Sequence, residues 1–84
     1  ITDLLQAAAI TKSTDPDASL CLWQRALKRA SNDCRVVNKN LADAINNIID
    51  VLDQHKDNAV GMHNIATVET VVHGMIAAVY VLRS

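Results

Sequence analysis

Phenylalanine is absent from the 84 residues, and tryptophan and tyrosine occur once each. A core must therefore be built from Leu, Ile, Val and Ala, side chains that interdigitate well between helices. The two glycines, Gly61 and Gly74, are too few and too far apart for a phosphate-cradling turn or a nucleophile elbow. Two cysteines, Cys21 and Cys34, cannot form a disulfide framework, and neither belongs to a CxxC pair. An excess of one charge sign is also missing. Eight Lys and Arg stand against nine Asp and Glu, for a formal charge of -1, which argues against a chain devoted to a polyanion. There is no uninterrupted apolar run of about 20 residues and no signal-peptide pattern, so a soluble, cytoplasmic protein is expected. The chain opens on Ile1 rather than Met, which we read as a trimmed start.

Half the residues are hydrophobic, and their spacing is helical. We expect an all-α fold, a small helical hairpin or bundle, forming a single domain over residues 1-84. Thr2-Asp3 can cap a short first helix through Ile10. Asp15 followed by Pro16 and Asp17 is a stronger start signal. It combines an N-cap carboxylate, a proline whose missing N–H is harmless at the first helical position, and an acid near the positive end of the dipole. From there Leu20, Trp23, Leu27, Ala30, Cys34, Val37, Leu41, Ala44, Ile48 and Val51 recur at intervals of three and four, with His55 next. Lys28-Arg29 before Ser31-Asn32-Asp33 suggests a break near residue 31, but the stripe keeps its phase and neither Gly nor Pro intervenes. The periodicity predicts one amphipathic helix over about residues 16-56, about 60 Å long at 1.5 Å per residue. An 84-residue monomer would have difficulty covering such a stripe, and domains of this size commonly gain stability by oligomerising.

A polar connector around Gly61 leads to Asn64, a candidate cap for a last helix over about residues 64-82. Its main face is Ile65, Val68, Val72, Met75, Ile76 and Val79. The β-branched run from Thr67 to Val72 leaves a strand as the alternative. The opposite face carries Ala66, Thr70, Gly74, Ala77, Ala78 and Val81, and Glu69 is the sole formal charge between Gly61 and Leu82. A helix without a charged face is expected to be buried on more than one side. Ala66, Thr70, Gly74 and Ala78 fall four apart and permit close approach of another helix, either the first helix of this chain or a partner. Glu69 and His73 argue against a lipid-embedded role.

Chemistry finds little to work with. Asp50, Asp53 and Asp57 share a helix face and could in principle hold a hard cation. Helical Mg-dependent nucleotide hydrolases, however, rely on Glu-rich clusters, and this chain has one Glu. His55, His63 and His73 show no ligand spacing. Cys34 lies in the stripe, whereas Cys21 shares a polar face with Arg25 and Lys28, which could lower a thiol pKa. No enzyme activity, cofactor, metal or small-molecule substrate is expected.

The charges divide along the predicted long helix. Arg25, Lys28, Arg29, Arg35 and Lys39 precede Asp43, Asp50, Asp53 and Asp57, so an antiparallel pair of such helices would be electrostatically complementary. The functional expectation is protein-protein association by a homodimeric regulator or adaptor that binds and modulates a larger protein, such as a transcription factor or enzyme. The candidate contact residues are Trp23, Arg25, Thr70, Gly74, Ala77, Ala78, Tyr80 and Val81. Trp23 reads equally as a core residue of the stripe. The alternative is a nucleic-acid-binding helical module using the five basic residues above.

Overall fold

A computed structural model describes residues 1–59 and 64–83, with the backbone alone at 58, 59 and 83. The fold is an all-α small helical bundle. Its helices are α1 (Thr2–Thr11), α2 (Pro16–Cys34), α3 (Lys39–Gln54), the single turn α4 (Lys56–Ala59) and α5 (Asn64–Arg83), with no strand among the described residues. The strand alternative for Thr67 to Val72 is thereby excluded. The expectations around Gly61 and His63 lie outside the described residues.

The start of α2 follows the sequence signal. Pro16 opens the helix, and the Ala18 N–H donates to Asp15 Oδ1 at 3.2 Å. α1 begins after Ile1 without a side-chain cap, so Thr2-Asp3 does not serve as one.

The continuous helix over residues 16-56 is not formed. α2 stops at Cys34 and α3 starts at Lys39, because Asn38 takes an extended backbone (φ -150°, ψ 91°) and its Oδ1 accepts the Leu41 N–H at 3.0 Å. That cap satisfies an otherwise orphaned donor of a new helix. The Asn38 N–H in turn donates to the Cys34 carbonyl at 2.7 Å, closing the end of α2. Val36 and Val37, 97% and 60% exposed, gain no packing that would offset the poor helix propensity of β-branched side chains. The break therefore falls four residues beyond Ser31, and Ser31 itself is buried in α2. The whole molecule measures 36 × 24 × 16 Å, too short for a 60 Å helix.

Folding back at Asn38 also rotates the buried face. α3 buries Ala42 and Ile45 and half-buries Leu41, Ile48, Ile49 and Leu52, whereas Ala44 and Val51 of the predicted stripe are exposed. Each residue turns a helix by about 100°, so the face is displaced by roughly one residue position. Residues 41–52 are apolar enough to support either phase, and the α2–α3 contact selects one.

α2 is the hub, packed on by α1, α3 and α5. Leu20, Trp23, Ala26, Leu27, Ala30 and Cys34 from α2 meet Ala8, Ala42, Ile45, Val68, Val72, Ile76 and Val79 in one buried cluster. Two buried serines seat its neighbours. Ser19 Oγ donates to the Ala8 carbonyl at 2.7 Å, with Thr11 Oγ1 2.8 Å away, and Ser31 Oγ donates to the Ala42 carbonyl at 3.3 Å. Twelve residues apart, the serines are offset by about 120° around α2, so one faces α1 and the other α3. Small hydroxyls of this kind let backbones approach closely while their polar groups stay bonded.

The Lys12–Glu69 ion pair, at 2.9 Å, joins the end of α1 to the early part of α5. It sets the early part of α5 beside the α1–α2 connector.

Candidate association surface

Of the candidate contact residues, six come together and two do not. Thr70, Gly74, Ala77, Ala78 and Val81 lie on one exposed face of α5, and Tyr80, 42% exposed, borders it. Trp23 is fully buried in α2 and is a core residue rather than an exposed anchor. Its indole N–H has no hydrogen-bond partner among the described residues, so the ring contributes apolar area at the cost of a desolvated donor. Arg25 is exposed on α2 and borders a different feature, a shallow groove of about 420 Å³ lined by Cys21, Gln24, Ile49, Asp50 and Asp53 as well.

That groove accounts for the charge segregation. Because the chain folds back at Asn38, basic α2 lies against acidic α3 within one molecule. Arg25 borders the same groove as Asp50 and Asp53, and Lys28 Nζ donates to Asn46 Oδ1 at 3.3 Å. The basic and acidic segments expected to face each other between two chains thus lie side by side in one, without an ion pair between α2 and α3 among the described residues, and the long helices whose pairing they suggested are not formed. The groove also divides the basic set, because Arg25 sits beside carboxylates that oppose a phosphate. Cys21 is exposed and Cys34 buried, both as free thiols. No group of three or more His, Cys, Asp or Glu among the described residues is placed to hold a metal ion.

α5 buries Val68, Val72, Ile76 and Val79 against α2 and half-buries Ile65 and Met75. At about 100° per residue their positions span about 100°, less than a third of the helix circumference. The other side holds Ala66, Thr67, Thr70, Val71, Gly74, Ala77, Ala78 and Val81, all exposed. The expectation of burial on more than one side is therefore not met within this chain. α1 does not fill the small-residue face; the Lys12–Glu69 pair beyond its end touches only the edge of α5. By length and composition Asn64–Leu82 could cross a membrane, yet only 22% of it is buried in the bundle. A core helix of the same hydropathy would be enclosed.

Gly74 sharpens the point. A glycine inside a helix costs about 1 kcal/mol relative to alanine. A Cβ built at Gly74 meets nothing within 4 Å, so no contact within the chain demands the missing side chain. Thr67 and Val71 complete the face and were not among the candidate contacts. Their exposure is deducible only once the buried arc of α5 is known.

Comparison with protein-family models, with curated proteins and with solved structures finds no match for this chain.

Proposed function

We propose that this chain acts by protein-protein association, as a small homodimeric regulator or adaptor in the cytoplasm that binds and modulates a larger protein, and carries out no reaction of its own. The single observation behind this reading is the exposed, uncharged outer face of α5, a continuous stretch of apolar and small residues among the described residues. Contiguous exposed apolar faces are often where another surface is received, and that supports the reading.

The test is Ala78→Arg, which places a cation on the exposed face without touching the core. Tagged wild-type chain is expected to retain a protein target from cell extract, and the variant to lose it with its helical content and melting temperature unchanged. Equal retention by both chains would remove α5 from the reading. A wild-type chain that stays monomeric and retains no protein would sink the reading as a whole.

A further inference from the structure

We propose that Asn38 is a hinge at which the chain exchanges everything from Lys39 onward with a second copy, forming a swapped dimer in which α2 and α3 join into one straight helix. This goes beyond the association reading above, because it uses none of the outer face of α5.

The backbone on either side of the hinge is already close to helical. Arg35 has helical dihedrals (φ -58°, ψ -38°), and the Asn38 N–H donates to the Cys34 carbonyl at 2.7 Å, the four-residue bond of an α-helix. On the far side the Ala42 N–H donates to the Asn38 carbonyl at 3.2 Å, again four residues apart. Between these bonds Asn38 is extended (φ -150°, ψ 91°). Turning it to helical dihedrals gives up its side-chain bond to the Leu41 N–H and lets the amides of residues 39 to 41 reach the carbonyls of 35 to 37. Neither Gly nor Pro stands in the way.

The faces agree as well. α2 turns Gln24, Lys28 and Ser31 to α3, where they donate to the Ile49 carbonyl, Asn46 Oδ1 and the Ala42 carbonyl. Gln24 and Ala42, Lys28 and Asn46, and Ser31 and Ile49 each stand eighteen residues apart, five whole turns of an α-helix. A straight helix therefore carries both halves of the contact on one side. A hairpin does not require this, since its connector can turn two faces together from any phase. Two straight helices laid antiparallel set Ser31 against Ala42 of the second copy, Lys28 against Asn46 and Gln24 against Ile49, twice over, about a two-fold axis beside Val36 and Val37.

The exchanged segment brings its own interface. α3 and α5 both pack on α2, and Glu69 pairs with Lys12. Each of these contacts is remade with α1 and α2 of the second copy, so the dimer keeps the packing of the single chain and needs no further apolar surface. Basic α2 again lies against acidic α3. The cost falls at the crossing, where Arg35 and Lys39 of both copies, all exposed, come together. Their repulsion confines the exchange to high protein concentration and is relieved by salt.

Wild-type chain refolded from urea at millimolar concentration in high salt is expected to yield a dimer separable by size exclusion. Spin labels on Cys21 and on Asp53→Cys read its geometry, the labelled chain being refolded with an excess of unlabelled Cys21→Ser chain. In the monomer both positions line one groove. In the swapped dimer they stand about 48 Å apart along one helix. Asn38→Ala removes the cap that holds the turn and is expected to raise the dimerisation constant at least 10-fold, since each dimer straightens two hinges. Two glycines inserted between Val37 and Asn38 ease the turn and interrupt the straight helix, and are expected to lower it at least 10-fold. No dimer, a dimer whose labels keep the monomer distance, or a dimer indifferent to both hinge variants would each overturn the proposal. Ala78→Arg is expected to leave the swapped dimer unchanged. A dimer lost with Ala78→Arg has formed through the outer face of α5, which overturns the exchange and leaves the association reading standing.

Discussion

α2 and α5 are of nearly equal length, and both are central to the bundle, yet they are treated oppositely by their surroundings. α2 is the more polar, but it is packed on by three helices and buries eight residues, two of them serines bonded to neighbouring backbones. α5 is the more apolar, and its principal packing partner is α2. Hydrophobicity alone thus does not decide which helix becomes the centre. α2 is central because short connectors at both of its ends return α1 and α3 against it and because Ser19, Ala26, Ala30 and Ser31 let those helices approach. α5 arrives last along the chain and covers the remaining side, leaving its own outer surface exposed.

The sharpest way to break that contrast is in the centre of α2. Trp23→Ala should cost about 3–5 kcal/mol, enough to unfold most of a domain this small, whereas Trp23→Phe keeps a ring, discards the unpartnered N–H and should lose much less. Urea denaturation followed by circular dichroism measures both, and equal losses would mean that Trp23 is not packed as described. A smaller effect is expected at the turn that makes α2 a hub. Asn38→Ala removes the cap of α3 and should lower stability by about 1 kcal/mol without loss of helix in α2. A label-to-label distance between positions 21 and 53 reports whether the hairpin is retained. A distance near the straight-helix value would show that Asn38 alone prevents the continuous helix. The least effect, and of opposite sign, belongs to the outer face of α5. Gly74→Ala should raise the melting stability by up to about 1 kcal/mol at concentrations too low for self-association, since alanine is the better helix former and the space is open. A loss of stability there would mean that the face is covered within the chain.

How far the molecule could be read in advance differs from residue to residue. Asp15 and Pro16 specify a helix start through local geometry alone, and the start at α2 follows. The Asn38 turn is local too, but the sequence suggests a break only near Ser31-Asn32-Asp33, and the periodic stripe runs through Asn38 because residues 41–52 satisfy it in two phases. Periodicity records where apolar residues recur and not which of two overlapping faces a neighbour will cover. Thr70, Gly74, Ala77, Ala78 and Val81 were legible as one face of α5 because they depend only on helical pitch. Whether that face was inside or outside was not legible, because it depends on which helices reach it.

What the sequence by itself determined is therefore the local part: an all-helical chain, the helix beginning at Pro16, a small-residue face on the last helix and the absence of charge along it. Capping, propensity and pitch act over a few residues and need no tertiary context. Only the tertiary structure decided that the central segment folds back at Asn38, that its basic and acidic halves meet within one chain, that Trp23 is enclosed and that the outer face of α5 stays open. Each of those depends on contacts between residues distant along the chain, where several arrangements satisfy the same local preferences and packing around α2 selects among them.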